Sequence, residues 1–142
     1  MAKFSSASGS LYLNVYIEPN APNYANNTTV VNWRMTVSRT RAYYTLGHQG
    51  DSTLSLDLNN SRVHTSNPIW HTSWSTSGEE FQMASGSTTV EHNVDGTKSF
   101  PFSATFNPNN SMYDVITVSG NITLQTIPRA SSISFSTGTI GS

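Results

Sequence analysis

The sequence predicts an all-β protein, an antiparallel β-sandwich of the immunoglobulin-like or jelly-roll-like kind with seven to nine strands. Apolar residues alternate with polar residues at a period of two in many segments, which is the spacing of a strand that buries one face. Clusters of Gly, Pro and Asn separate these segments at short intervals, and none of them shows the 3.6-residue period of a helix. The chain has 142 residues, which suits one domain, and we place the sandwich at residues 10–128.

Three strands with clear alternation are expected in the first half of the chain, at residues 10–18, 28–39 and 53–58. Trp33 occupies an inward position of the second strand. It is the expected anchor of the core, because sandwiches commonly bury a large aromatic side chain in a central strand. A shorter strand is expected at residues 42–46. Residues 1–9 are small and polar, so we expect them to form a flexible N-terminal arm.

A turn and the strand that follows it are the most clearly marked feature of the second half. Asp95-Gly96 is the strongest turn signal, because Gly adopts a positive φ without steric cost and Asp bonds to nearby backbone. The strand after it should bury four side chains at a period of two: Phe100, Phe102, Ala104 and Phe106. Another strand should precede the turn, with a β-bulge at Gly86, and the last strand is expected at residues 114–127.

Composition excludes several classes of function. The net charge is −1 and only 11% of the residues are charged, so the sequence offers no basic surface for nucleic acid. The absence of Cys rules out a disulfide framework and thiolate metal sites. No apolar run is long enough to span a membrane, and the first residues lack the apolar segment of a signal peptide.

No catalytic, metal-binding or cofactor-binding residues are predicted. The sequence lacks the Gly-x-Ser-x-Gly motif of Ser hydrolases and the Gly-rich motifs that bind nucleotides. The adjacent residues Glu79 and Glu80 point to opposite faces of a strand, so they do not form a pair of catalytic carboxylates. The four His residues are not spaced as metal ligands: His48, His64, His71 and His92. We therefore expect a protein that is not an enzyme.

Six side chains are candidate glycan-binding residues, because sugar rings stack on Trp and Tyr while Arg bonds to sugar hydroxyls. One group is expected on the outer faces of the first two strands: Tyr12, Tyr16 and Arg34. The second group lies in an irregular, loop-like stretch: Trp70, His71 and Trp74. A structural alternative exists for both groups. Outward Tyr residues are ordinary in strands, the Trp residues can fill the end of the sandwich, and an aromatic outer face can pack against another subunit.

Two motifs mark the second half of the chain. The first is the sequence His-Asn-Val-Asp-Gly-Thr-Lys at residues 92–98, which precedes the Phe-rich strand. The second is the Ser119-Gly120 strand, which leads into Leu-Gln-Thr-Ile-Pro-Arg-Ala-Ser-Ser-Ile at residues 124–133. Both motifs resemble sequences in the minor structural proteins of siphophages that infect streptococci and related Gram-positive bacteria. The resemblance extends from about Trp74 to Ile133.

The resemblance implies a virion protein of the phage tail tip, baseplate or fibre, assembled in the cytoplasm of the bacterial host. Its partners would be other tail proteins or copies of itself and, by analogy, the host's cell-wall polysaccharide. Residues 129–142 would then be a linker or the start of a further domain. The favoured function is host adhesion through a cell-surface glycan. The alternatives are a structural or assembly module without a ligand, or an accessory domain of a cell-wall hydrolase.

Overall fold

The computed structural model describes residues 2–40, 52–68, 79–109 and 112–129, and every regular element in these ranges is a β-strand. The strands are β1 (Ala2–Ser8), β2 (Leu11–Pro19), β3 (Thr28–Arg39), β4 (Thr53–Leu58), β5 (Ser61–Ser66), β6 (Glu80–Glu91), β7 (Ser99–Asn107) and β8 (Ile116–Thr123). They form two four-stranded antiparallel sheets with the strand orders β1-β2-β3-β6 and β5-β4-β7-β8. The predicted all-β sandwich is confirmed. The strand expected at residues 42–46 lies outside the described ranges, which contain no helix suited to crossing a membrane.

The inner faces of the two sheets share one apolar core. Trp33 is only 6% exposed, so the inward phase predicted for β3 is confirmed. The alternating apolar side chains of the other long strands are buried in the same way: Leu11, Leu13, Val15, Ile17, Leu54, Leu56, Leu58, Phe100, Phe102, Ala104, Phe106, Ile116, Val118 and Ile122. Since the inward positions are apolar, the remaining positions of each strand carry the polar side chains that form the outer surfaces.

The N-terminal residues, which we expected to form a flexible arm, instead form the edge strand β1. All seven residues of β1 pair with β2 in an antiparallel ladder. Phe4 packs edge to face against Phe102 of the opposite sheet, with the ring centroids 4.7 Å apart. The Ser-rich composition favours an arm, but one aromatic ring and a complete backbone ladder hold the strand in place.

Two further details differ from the sequence-based expectation. The bulge in β6 lies at Met83 rather than at Gly86, because the register shifts between Met35 and Thr36 of β3. The extra residue lets both sides of the bulge keep apolar side chains against the core. The last strand, β8, covers only the middle of the segment expected at residues 114–127.

The turn between β6 and β7 connects the two sheets. Gly96 has a φ of 90°, and a Cβ at this position would lie 2.1 Å from the carbonyl oxygen of Ile127, so only Gly fits. The buried His92 donates from Nδ1 to the carbonyl oxygen of Gly96 over 2.8 Å. Its Nε2 lies 2.7 Å from the Thr29 hydroxyl. Because a carbonyl only accepts, Nδ1 carries a proton, and Nε2 accepts from Thr29 in the neutral ring.

Arg129 closes the same turn from the segment that follows β8. Its Nε donates to the carbonyl oxygen of Val94 over 2.9 Å, and its guanidinium also bonds to the carbonyl oxygen of Asn93 and to the side chain of Asn27. The motif at residues 92–98 therefore contacts the described part of the second motif directly. The two motifs form one structural unit that fastens the end of one sheet to the other.

Candidate functional site

The outward face of the β1-β2-β3-β6 sheet brings together two of the predicted glycan-binding residues. Tyr16 on β2 pairs directly with Arg34 on β3 and, on its other side, with Lys3 on β1. Ser85 of β6 pairs with Arg34, so the row extends across all four strands. The residues immediately before and after Tyr16 on β2, Val15 and Ile17, are buried in the core. Because side chains alternate along a strand, Tyr16 points outward.

Two cations flank the ring of Tyr16. The Cζ atom of Arg34 lies 3.8 Å from the ring centroid, and the Nζ atom of Lys3 lies 5.5 Å from it. The two cations come from the two strands that neighbour β2, Lys3 from β1 and Arg34 from β3. Both distances are within the range of cation–π interactions. The guanidinium of Arg34 therefore covers one face of the ring, and a sugar that stacks on that face has to displace it.

The hydroxyl of Tyr16 is anchored by Glu80 at the start of β6. It lies 2.7 and 2.6 Å from the two carboxylate oxygens, the Thr36 hydroxyl donates to the same carboxylate over 2.6 Å, and the Lys3 ammonium lies 3.4 Å away. Burial raises the pKa of Glu80, but the hydrogen bonds from Thr36 and Tyr16 and the charge of Lys3 outweigh it, so the net pKa lies below its ordinary value. Burial and the hydrogen bond to Glu80 raise the pKa of Tyr16. The Tyr16 hydroxyl and the Glu80 carboxylate also raise the pKa of Lys3, so the charges of the network persist at neutral pH.

A buried amide lies beside this network. Asn14 is only 2% exposed although it lies on the outward face of β2. Its Oδ1 accepts a hydrogen bond from Ser5 over 2.7 Å, and its Nδ2 donates to Thr36 and Ser38 over 3.1 and 3.0 Å. These bonds link β1, β2 and β3 through side chains as well as through the backbone. The outward face is therefore ordered before any ligand arrives.

An open groove of about 390 Å³ runs along this face beside Arg34. Its lining residues are Tyr16, Glu18, Asn32, Trp33, Arg34, Gln82, Ser85, Gly86 and Ser87, and we call it the Tyr16 groove. A Cβ at Gly86 would lie 2.5 Å from the Cζ2 atom of Trp33, so the missing side chain makes room for the large core residue beneath. The lining combines amides, hydroxyls and one guanidinium with some aromatic surface, a set of groups that bonds to polyhydroxylated ligands.

Tyr12, another of the predicted glycan-binding residues, does not line this groove. Tyr12 lies on the same outward face but four residues from Tyr16, which is about 13 Å along a strand. The buried Asn14 lies between them. Trp70, His71 and Trp74 lie outside the residues that the structure describes, so their assignment stays a prediction.

Sequence reasoning did not select several residues of this face: Lys3, Glu80, Gln82, Ser85 and Ser87. A signal for Lys3 is present in the dipeptide Gly9-Ser10, which is typical of a two-residue hairpin turn and places Lys3 opposite Tyr16. Gly9 indeed has a positive φ of 58°. No comparable signal exists for the β6 residues, because the bulge at Met83 shifts their register relative to β3.

Several titratable groups elsewhere in the sandwich have structural partners. The hydroxyl and the backbone N–H of Thr97 donate to Asp95, and these bonds lower the pKa of that carboxyl. On the β5-β4-β7-β8 sheet, Asp57 forms an ion pair with Arg62. Burial lowers the pKa of His64. Within the described part of the chain, no group of three His, Cys, Asp or Glu residues is arranged to hold a metal ion.

A family model described as "Siphovirus protein of unknown function (DUF859)" matches the chain over residues 1–142. No curated protein and no solved structure matches the chain. The family match agrees with the resemblance of the two motifs to siphophage proteins, whereas the streptococcal or other Gram-positive host stays a prediction. Because the match covers the whole sequence, this protein belongs to that family of siphovirus proteins.

Proposed function

We propose that this protein is a β-sandwich module of the siphophage virion, located in the tail or baseplate, and that the Tyr16 groove attaches it to a glycan on the host surface. The family match supports a role in siphophages. The resemblance of the two motifs to minor structural proteins supports a location in the tail, and it is also the reason to propose streptococci and related Gram-positive bacteria as hosts.

The observation that supports glycan binding is the set of groups around Arg34 in the groove. The amides of Asn32 and Gln82 and the hydroxyls of Ser85 and Ser87 line it. These groups offer both donors and acceptors, which is what adjacent hydroxyls on a sugar ring require. Because the network under Tyr16 already fixes the guanidinium, binding costs less conformational entropy.

We propose binding rather than catalysis. Glycoside hydrolysis needs a carboxylic acid whose pKa is raised towards the working pH, so that it can donate a proton. Glu80 has the opposite property, since hydrogen bonds from Thr36 and Tyr16 and the charge of Lys3 lower its pKa despite its partial burial. Its carboxylate holds the site together instead of reacting with a ligand.

The size and openness of the groove predict weak binding at a single site, with a dissociation constant of about 1 mM to 1 μM. Multiple copies in one virion would raise the effective affinity for a cell surface without any new contact. Adhesion should therefore depend strongly on multivalent display.

The test is binding of a fluorescent, multimerised form of the protein to streptococcal cells, with purified wall polysaccharide as competitor. Ser87→Trp would fill the groove from an outward position on the edge strand β6. Ser119→Trp is the matched control, because Ser119 is also an exposed, outward residue on an edge strand, β8 of the other sheet. We expect Ser87→Trp to remove the labelling and Ser119→Trp to retain it. Labelling that neither Ser87→Trp nor the polysaccharide reduces, or no labelling of any strain, would refute the glycan role.

A second candidate function is an assembly module without a ligand, and exposed apolar side chains favour it. Tyr24 and Val94 are 58% and 94% exposed at the end of the sandwich that carries the β6–β7 turn. Met112 and Val115 are 52% and 54% exposed near the opposite end. Apolar contacts at both ends suit end-to-end stacking. Sedimentation velocity checks this alternative: stacking predicts association that rises with concentration and that Val94→Asp prevents, whereas a monomer at every concentration contradicts it.

A further inference from the structure

We propose that the Tyr16 groove selects acidic saccharides, and that Arg34 pairs with a carboxylate or phosphate group of the ligand. This inference rests on the proposed function and makes it more specific, because it names the charge of the ligand and the residue that recognises this charge.

The position of Arg34 is fixed by its neighbour. Its Cζ atom lies 3.8 Å from the centroid of the Tyr16 ring, and the Tyr16 hydroxyl is in turn anchored by Glu80. Stacking on an aromatic ring occupies the flat face of a guanidinium and leaves the N–H donors at its edge available. The edge of a guanidinium is the part that binds carboxylates and phosphates, often through two parallel hydrogen bonds.

No ion pair joins Arg34 to a carboxylate within the described residues. The carboxylate of the network, that of Glu80, is already bonded to Tyr16, Thr36 and Lys3. Arg34 therefore contributes a positive charge to the groove that the surrounding network does not neutralise. Such a charge favours an anionic group on the ligand over an uncharged one.

Other guanidinium groups show what a structural Arg looks like in this protein. Arg62 is bonded to the carboxylate of Asp57, and Arg129 is bonded to backbone and side-chain oxygens of the β6–β7 turn. Each of these two side chains uses its donors within the chain. Arg34 differs, since its guanidinium lies over the ring of Tyr16 and the residue lines the groove.

The groove also contains a negative charge, which limits how an acidic ligand can lie in it. Glu18 lines the groove in the row of Asn32 and Ser87, whereas Arg34 lies in the neighbouring row with Ser85. The acidic group of the ligand is therefore expected over Arg34 and Ser85. Uncharged hydroxyls of the ligand are expected beside Glu18, which accepts hydrogen bonds from them.

The test compares three probes of similar length by titration calorimetry: an oligosaccharide that contains glucuronate, a glycerol phosphate oligomer and a neutral maltooligosaccharide. We expect at least one acidic probe to bind the wild-type protein 10-fold or more tightly than the neutral probe, and the acidic probe that binds identifies carboxylate or phosphate as the recognised group. Arg34→Gln should remove this preference, and Arg34→Lys should retain part of it, because Lys keeps the charge but not the planar fork. Rising salt should weaken binding of the acidic probe to the wild-type protein, a result that requires no variant to fold.

Two results would overturn the inference, and they have different consequences for the proposed function. In the first, the neutral probe binds as tightly as the acidic probes, and Ser87→Trp prevents this binding while Arg34→Gln does not. The groove would then bind glycans without distinguishing acidic from neutral ones. The proposed function would then stand. If none of the three probes binds and the multimerised protein also fails to label cells, both the inference and the proposed function are wrong.

Discussion

The β6–β7 turn provides a sharp test of the structure, through the substitution Gly96→Ala. Gly96 has a φ of 90°, and a Cβ there would lie 2.1 Å from the carbonyl oxygen of Ile127. That oxygen belongs to the backbone and cannot move aside as a flexible side chain would. The substitution should therefore push apart the turn and the segment that follows β8.

The expected loss of stability has two parts. The positive φ costs a residue with a Cβ about 1–2 kcal/mol. The steric clash should also break the hydrogen bonds that the Gly96 carbonyl accepts from Ile127 and His92, which are 3.0 and 2.8 Å long. Each such bond is worth about 0.5–1.5 kcal/mol. The sum is a loss of about 2–5 kcal/mol, or a fall in Tm of roughly 6–15 °C for a domain of this size.

Gly9→Ala is the matched control for this experiment. Gly9 also has a positive φ, of 58°, but a Cβ there would meet only the side chain of Tyr113 at 3.5 Å, which is an ordinary contact. We expect a loss of only about 1–2 kcal/mol from the backbone conformation. Thermal and urea unfolding, followed by circular dichroism, would measure both variants. Equal losses for Gly9→Ala and Gly96→Ala would show that the contact with Ile127 does not constrain the turn, and would refute the reasoning.

Three further predictions concern the core, the network around Tyr16 and the edge strand. Trp33→Ala should reduce the free energy of unfolding by about 3–5 kcal/mol in urea titrations, as for other buried aromatic truncations, and a loss below about 1 kcal/mol would contradict its burial. Because the pKa of Glu80 is lowered in the folded state, its contribution to stability is present above about pH 4.3 and is lost as the pH falls through the folded-state pKa. The pKa values of Tyr16 and Lys3 are raised, so their contributions to stability are present below about pH 10 and are lost as the pH rises through the folded-state pKa values. The free energy of unfolding measured from pH 2 to 12 should therefore fall at both the acidic and the basic end, and Glu80→Gln should reduce the fall at the acidic end. Phe4→Ala should increase the rate of amide hydrogen exchange in β1 more than in any other strand. Equal protection of all four strands of the sheet would contradict the idea that the Phe4 ring holds β1 in place.

Strand phase was predictable from the sequence because a period of two leaves little choice once one face is apolar. Trp33 illustrates this: shifting β3 by one residue would expose Trp33 and bury Asn32 and Arg34 instead. The outward direction of Tyr16 and Arg34 follows from the same pattern. That they are neighbours depends on register, because the observed pairing is centred on Ala25, whereas the β2–β3 loop covers residues 20–27 and has its centre between Asn23 and Tyr24. A hairpin centred on that loop would have placed Tyr16 opposite Val31, so the pair with Arg34 could not be predicted from loop length alone.

The participation of Glu80 in the site was not predictable in the same way. The bulge at Met83 changes which residues of β6 face outward and where they lie relative to β3. A bulge depends on packing against the whole sheet and has no fixed sequence signature. The role of Lys3 was missed for a different reason, because a Ser-rich segment with one large apolar residue resembles a disordered tail until its pairing with β2 is known.

The edge strand β1 has a practical consequence for anyone who shortens or fuses this domain. A chain trimmed to begin at Ser10 would leave the backbone donors and acceptors along one side of β2 without partners, and would uncover the ring of Phe102 where Phe4 covers it. Such an edge is a template for pairing with another chain, so the trimmed domain should form aggregates or swapped dimers. It would also lack Lys3, and with it one of the two cations beside Tyr16. Purification tags and fluorescent proteins should therefore be joined ahead of β1 through a flexible spacer, and the seven residues of β1 should be kept intact.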